Sequence, residues 1–91
     1  MTKTKYTVKY FINKFKAIPA KNWGVGQYSS GARSCALGHC GEGAKETRES
    51  IALKKFFESG EELTDINDGT SPFYQQRGPK ARILAALKDR L

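Results

Sequence analysis

The chain has 91 residues, two cysteines and a formal net charge of +7. A chain of this length forms one domain and is too short for a two-domain enzyme or a full nucleotide-binding fold. Its mean hydropathy is −0.59, and no apolar run approaches the roughly 18 residues of a membrane span. The N-terminal sequence also lacks the apolar stretch of a signal peptide. We therefore expect one cytoplasmic domain over residues 1–91, flexible at 1–6 and without membrane contact.

The basic residues are distributed unevenly along the chain. Up to Gly41 there are seven Lys or Arg and no Asp or Glu, whereas the remainder carries nine of each sign. A basic segment without acids raises the local concentration of polyanions. The distribution therefore predicts that the first half of the chain faces nucleic acid or an acidic protein surface.

Apolar residues recur at helical spacing in the first part of the chain. The repeat consists of Val8, Phe11, Ile12, Phe15 and Ile18. This spacing predicts an amphipathic helix over Thr7–Ile18, ended by Pro19. The residues outside the apolar stripe include Lys9, Lys14 and Lys16, so the helix has one face for the core and one for solvent.

Three lysines near the start of the chain, Lys5, Lys9 and Lys16, fall within one sector beside the apolar stripe when helical spacing is applied, whereas Lys14 lies apart. Lysine ammonium groups contact phosphates, and tyrosine rings such as those of Tyr6 and Tyr10 stack on bases. The three lysines of the sector and the two tyrosines together are the candidate nucleic-acid or polyanion site. The simpler alternative is that the lysines only solubilise a small domain while Tyr10 covers the edge of the core.

Glycines and serines between Ala20 and Ala32 predict a long loop. Trp23 lies within this loop, and we expect its large apolar ring to be buried between helices. The small residues of Ser34–Cys40 predict a short helix that Gly41 ends.

The second half of the chain contains two further helical patterns. The first runs over Lys45–Ser59, with Gly60 as the residue after its C-terminus. Leu63–Ile66 is predicted to be short and extended, and a turn follows at Asn67-Asp68-Gly69. Pro79 is typical of the first position of a closing helix. The expected fold is mainly α, with three longer helices, one short helix, a Gly/Ser loop and at most a short extended segment.

Cys35, His39 and Cys40 are the soft metal ligands of the chain. A closed zinc site requires four converging ligands, so we predict neither a metal site nor a cofactor. Cys35 and His39 are four residues apart on a helix, which makes them weak candidates for a thiolate and its base. Buried free cysteine more commonly behaves as a small apolar residue. We therefore expect Cys35 to be an inert core thiol and Cys40 to react faster.

Four short motifs follow the opening helix in order along the chain. They are Trp23-Gly24-Val25-Gly26, Ser34-Cys35-Ala36-Leu37-Gly38, Ile66-Asn67-Asp68-Gly69 and Ile83-Leu84-Ala85-Ala86-Leu87. This order resembles a family of small bacterial and phage-associated domains of uncharacterised function, over most of residues 7–91. The chain departs from that pattern in its lysine-rich start and in His39-Cys40-Gly41.

The resemblance implies structural roles for a small set of residues. The set is Trp23, Cys35, Gly38, Asn67 and Asp68. Asn67 or Asp68 would cap backbone N–H groups while Trp23 packs over the short helix. The resemblance implies no activity.

The sequence thus predicts a small, non-catalytic binding domain, monomeric, whose leading partner is nucleic acid or an acidic protein surface. Two alternatives remain open at this point. One is a cysteine-dependent enzyme centred on Cys35 and His39. The other is an adaptor that docks another protein through the aromatic residues Trp23, Tyr28, Phe73 and Tyr74.

Overall fold

The computed structural model describes residues 6–25, 29–30, 33–43 and 45–91. Within these ranges the α-helices are α1 (Val8–Lys16), α2 (Ala36–His39), α3 (Arg48–Lys54), α4 (Gly60–Asp68) and α5 (Pro79–Lys88). A single 3₁₀ turn spans Ala20–Asn22, and two short antiparallel strands, β1 (Ser29–Ser30) and β2 (Arg33–Ser34), pair as a hairpin. The predicted mainly α, compact fold is confirmed.

Helices α1 and α4 both pack against α5, and the core lies where the three meet. Thr7 begins α1, because its hydroxyl accepts a hydrogen bond from the backbone N–H of Tyr10 at 3.0 Å. The apolar stripe of α1 is buried as its spacing predicts. The buried apolar residues of the three helices are Val8, Phe11, Ile12, Phe15, Leu63, Ile66, Ile83, Ala86 and Leu87.

The segment Leu63–Ile66 is helical, so the prediction of an extended segment there was wrong. Ser59 is the N-cap of α4, since its hydroxyl accepts from the backbone N–H of Glu62 at 3.1 Å. Gly60, expected to follow the preceding helix, is instead the first residue of α4. The Ser-x-x-Glu spacing is a start signal that competes with the glycine stop signal. Here the start signal prevails.

Helix α3 is shorter than the predicted Lys45–Ser59 helix. It begins after Thr47, which forms a reciprocal capping box with Ser50, and it ends at Lys54. Helix α2 is short, as expected, and Gly41 follows it with φ of 84°, a conformation that favours glycine. Among the helices described, none combines the length and the apolar character required to cross a bilayer.

Candidate polyanion-binding surface

Lys9 and Lys16 lie two turns apart on the same exposed face of α1. Among the described residues no carboxylate lies within 4.0 Å of either ammonium group. Lys5, the third lysine of the predicted sector, lies outside the described residues. The structure therefore presents two of the predicted lysines to solvent without an acidic partner.

Tyr10 and Lys14 occupy another side of α1 and bind α3. The Lys14 ammonium lies 2.7 Å from Oε1 of Glu49, and the Tyr10 hydroxyl donates to Oε2 of the same carboxylate. This hydrogen bond, with a smaller contribution from burial, raises the pKa of Tyr10 to about 12. Because the contact holds Tyr10 against the domain, it belongs to the α1–α3 junction and not to a free stacking surface.

Tyr6, the other tyrosine of the predicted site, is half-buried. Its ring stacks on that of Phe11 at 6.1 Å between centroids and meets the Tyr10 ring edge-on at 5.2 Å. The two tyrosines thus cover the apolar edge of α1, as the simpler alternative from the sequence expects.

Helix packing brings two further cations, Lys80 and Arg77, to this surface, and neither belongs to the site predicted from the sequence. The Lys80 ammonium donates to the backbone oxygen of Lys16 at 3.1 Å, where the positive charge also compensates the negative end of the α1 dipole. Arg77 is exposed just before α5. We call the group formed by Lys16, Lys21, Arg77 and Lys80 the basic end.

A cavity of about 220 Å³ lies at the basic end. It is lined by Ala20, Arg77, Gly78, Pro79, Lys80, Ala81 and Leu84. The 3₁₀ turn and the start of α5 form this cavity together, and Lys21 follows Ala20 directly in the chain. No residue of its lining is acidic. Arg77 and Lys80 are the cations of the lining, and its other residues are apolar or glycine.

Two further cations of the described chain, Lys54 and Arg90, are paired with carboxylates. Lys54 lies 2.7 Å from a carboxylate oxygen of buried Glu42 and 2.6 Å from one of Glu46, which together raise the pKa of the lysine against the opposing effect of desolvation. Arg90 pairs with Glu62 at 2.7 Å. Among the described residues Lys9 and the basic end, at the surface of α1 and α5, have no such partner, as is also true of the exposed lysines Lys45, Lys55 and Lys88.

A larger cleft of about 640 Å³ lies at the other end of α5. Its lining includes the carboxylates of Glu61, Glu62, Asp65 and Asp89 together with Phe73, which is 84% exposed. The acids of this cleft repel polyanions, so the two ends of α5 differ in sign.

The aromatic residues of the adaptor hypothesis do not form one exposed patch. Trp23 is buried, whereas Phe73 is exposed. The Tyr74 hydroxyl donates to Asp89 at 2.8 Å, and Tyr28 lies outside the described residues. A docking surface built from Trp23 is therefore excluded, because its ring is inside the domain.

Trp23 is 4% exposed, which confirms the expectation that this loop residue is buried. Its ring packs edge-on against Phe15 at 5.1 Å and against the His39 ring at 4.8 Å between centroids. Nε2 of His39 lies 3.1 Å from the backbone oxygen of Asn22. Burial lowers the pKa of His39, and the charge of Lys14 adds to this effect, while hydrogen bonds to the backbone of Asn22 and Ser34 oppose it.

Asn67 connects α4 to α2 and to the Trp23 loop. Its Oδ1 accepts from the backbone N–H of Ala36 at 3.0 Å, which caps the first turn of α2. Its Nδ2 donates to the backbone oxygen of Gly24 at 3.0 Å and to Oδ1 of Asp68 at 2.9 Å. The amide is thus satisfied although Asn67 is only 2% exposed. We call this buried group, formed by Trp23, Gly24, Ala36, His39 and Asn67, the Trp23–Asn67 cluster.

The two cysteines differ in burial, in the opposite order to the expectation. Cys40 is buried and its pKa is raised to about 12, chiefly by desolvation, whereas Cys35 is half-buried before α2. Cys40 is therefore the less reactive thiol. At the end of α2, the backbone oxygen of Gly38 accepts a hydrogen bond from the N–H of Gly41 at 2.9 Å.

Cys35 and His39 are joined through their backbones, with the N–H of His39 donating to the oxygen of Cys35 at 2.9 Å. The His39 ring instead contacts Trp23 and Asn22. Across the described ranges, no three His, Cys, Asp or Glu side chains converge as a metal site. The hydrogen bond of the His39 ring thus goes to the backbone of Asn22, and the cysteine-dependent alternative stays a prediction from the sequence.

Comparison of the chain with family models, with curated proteins and with solved structures found no match. The resemblance to small bacterial and phage-associated domains therefore stays a prediction from the sequence, and the function has to be argued from the surface itself.

Proposed function

We propose that this domain is a non-catalytic module that binds nucleic acid electrostatically through Lys9 and the basic end. The observation that supports the proposal is the grouping of cations without an acidic partner at the α1–α5 junction. Lys14, Lys54 and Arg90 are paired with carboxylates at 2.6–2.7 Å, whereas the cations near the α1–α5 junction are not. Gathering like charges without a counter-charge costs free energy, which a bound polyanion recovers.

The affinity expected from such a surface is modest. Each phosphate that a cation neutralises releases counterions and contributes about 0.9 to the slope of log affinity against log salt on duplex DNA. Contacts from Lys9, Lys16 and Lys80 correspond to a slope of about −2.7. Dissociation constants of roughly 10⁻⁴–10⁻⁶ M at physiological salt are typical of this kind of binding.

Sequence selectivity is expected to be weak. Specific readout of base edges relies on planar, bidentate side chains such as Arg, Asn and Gln held in a groove. The candidate surface has mainly lysines, and its exposed arginine, Arg77, lies in the loop before α5. The partner is therefore recognised by its backbone charge.

The test is a salt titration by fluorescence anisotropy with a labelled 12-base-pair duplex and a labelled 12-nucleotide strand. The double variant Lys9→Gln, Lys16→Gln removes two contacts and should flatten the duplex slope by about 1.8. The matched control is Lys45→Gln, Lys55→Gln, which removes the same charge from exposed positions before and after α3. This control should keep most of the wild-type slope, since its lysines lie outside the proposed surface.

Two results would contradict the proposal. One is the absence of binding by the wild type at low salt. The other is an equal loss of affinity in the two double variants, which would show a response to net charge alone.

A further inference from the structure

We infer that the cavity at the basic end receives a nucleobase, so that the partner of this domain is a single-stranded nucleic acid. The inference rests on the proposed function and specifies the form of nucleic acid that the same surface takes. It follows from the cavity of about 220 Å³ between the 3₁₀ turn and the start of α5.

The cavity combines two kinds of surface that a nucleotide requires. Its interior carries the apolar side chains of Pro79, Ala81 and Leu84, which present a non-polar wall to the face of a base. Its lining also includes Arg77 and Lys80, whose cationic groups suit the phosphates on either side of that base. A purely electrostatic surface for phosphates would not need the apolar wall.

A third cation, Lys16 of α1, lies next to Lys80 and outside the lining of the cavity. Lys16 is exposed at the last turn of α1, and its backbone oxygen accepts the hydrogen bond from Lys80 at 3.1 Å. Two chain segments that are distant in sequence, the end of α1 and the start of α5, therefore bring positive charge to this region. Within the described chain no carboxylate pairs with these three cations.

The form of the nucleic acid follows from access to the base. In a duplex the bases are stacked and paired, so their faces cannot enter a cavity on a protein surface unless the base leaves the stack. In a single strand each face is accessible, and binding to an apolar wall is tolerant of sequence. The cavity therefore favours a single strand over a duplex of equal charge.

The experiment compares two labelled strands with the same number of phosphates, a 12-nucleotide oligothymidylate and a 12-unit strand of abasic sites. The wild type should bind the oligothymidylate about fivefold more tightly, as expected from the burial of part of one base face. Ala81→Leu fills the cavity without changing the charge at an exposed helical position, and it should remove this difference. Ala81→Ser leaves the cavity open and should retain it.

A second variant separates the contribution of charge. Arg77→Gln, Lys80→Gln should weaken both strands by the same factor, since both carry the same phosphates. Circular dichroism of each variant establishes that the helices are intact.

The outcomes separate this inference from the function on which it rests. Equal wild-type affinity for the two strands, or a preference that survives Ala81→Leu, overturns the cavity assignment and leaves electrostatic binding in place. A duplex of oligothymidylate with its complement that binds as tightly as the single strand overturns the preference for single strands. Failure to bind any strand at low salt overturns both proposals.

Discussion

The Trp23–Asn67 cluster begins directly after the 3₁₀ turn, and the cavity of the basic end includes Ala20 of the same turn. The two regions differ in how their polar and charged groups are compensated. In the cluster, the Asn67 side chain is buried and uses both its oxygen and its nitrogen in hydrogen bonds of about 3 Å. At the basic end, Lys16, Arg77 and Lys80 carry full charges with no acidic partner in the described part of the chain. The Asn67 amide is satisfied inside the domain, although Nε1 of Trp23 beside it is buried without a hydrogen-bond partner; the cations of the basic end have no acidic partner in the described part of the chain.

This difference separates stability from binding. A buried amide that loses its partner leaves unsatisfied groups inside the domain, so changes in the cluster act on the free energy of unfolding. Exposed lysines make weak contacts within the folded chain, so changes at the basic end act on association with a charged partner. Substitutions in each region should therefore affect one property and leave the other unchanged.

The largest effect is expected from Trp23→Ala. Removing this ring leaves a cavity beside Phe15 and His39, and large-to-small changes of buried aromatic residues lower the free energy of unfolding by about 3–5 kcal/mol. Urea denaturation followed by circular dichroism measures the loss. Trp23→Phe, which retains most of the ring, should lose less and keeps the comparison measurable if the alanine variant does not fold. A wild-type Trp emission spectrum at the fully solvated position would contradict the burial itself.

Asn67→Ala should have the next largest effect. The substitution leaves the backbone N–H of Ala36 and the oxygen of Gly24 without their partner, which should cost about 1–3 kcal/mol of unfolding free energy. Thr64→Ala, on the exposed face of the same helix, is the control and should change stability by no more than about 0.5 kcal/mol. Equal losses in the two variants would show that Asn67 does not join the elements as described.

His39 makes the cluster sensitive to acid. Burial lowers the pKa of this group in the folded protein below the ordinary value of 6.5, so the unfolded chain binds a proton more readily. The stability from neutral His39 is fully present above about pH 6.5 and is lost as the pH falls from there toward the lower pKa of the folded state. His39→Gln should remove this component, which appears as the difference between the two unfolding curves at pH 7.5 and pH 5.5. Parallel curves would contradict the assignment.

The smallest effect on stability is expected at the basic end. Lys16→Gln, Arg77→Gln and Lys80→Gln should each change the free energy of unfolding by no more than about 0.5 kcal/mol, even where they lower the affinity for nucleic acid. Relief of repulsion between neighbouring cations at low salt favours a small gain. Thermal unfolding at low and moderate salt measures this change, and a loss above about 1 kcal/mol would show that these residues stabilise the fold.

The local sequence patterns were sufficient for the individual helices where start and stop signals agreed. The stripe from Val8 to Phe15 set the buried face of α1, and Gly78-Pro79 marked the start of α5. At Ser59 and Gly60 two signals conflict, because glycine is typical of a helix end and Ser-x-x-Glu is typical of a helix start. The structure uses Ser59 as the N-cap of α4, because its hydroxyl reaches the N–H of Glu62.

The candidate surface was only partly accessible from the sequence. Lys9 and Lys16 were found because helical spacing places them on one face of α1. Arg77 and Lys80 lie in the half of the chain where the charges balance in number, so counting gave no reason to select them. The acid that follows them in the chain, Asp89, lies at the other end of α5, at the acidic cleft.

By itself the sequence determined the periodicity of the helices, the burial of Trp23 and the excess of positive charge in the first 41 residues. These depend on local spacing and on composition. Only the tertiary structure decided which cations remain unpaired, since Lys14 reaches Glu49 while Lys16 meets Lys80. The physical reason is that an ion pair or a cavity requires groups to meet within a few ångströms, and for residues distant along the chain that proximity comes from the packing of α1 against α3 and α5.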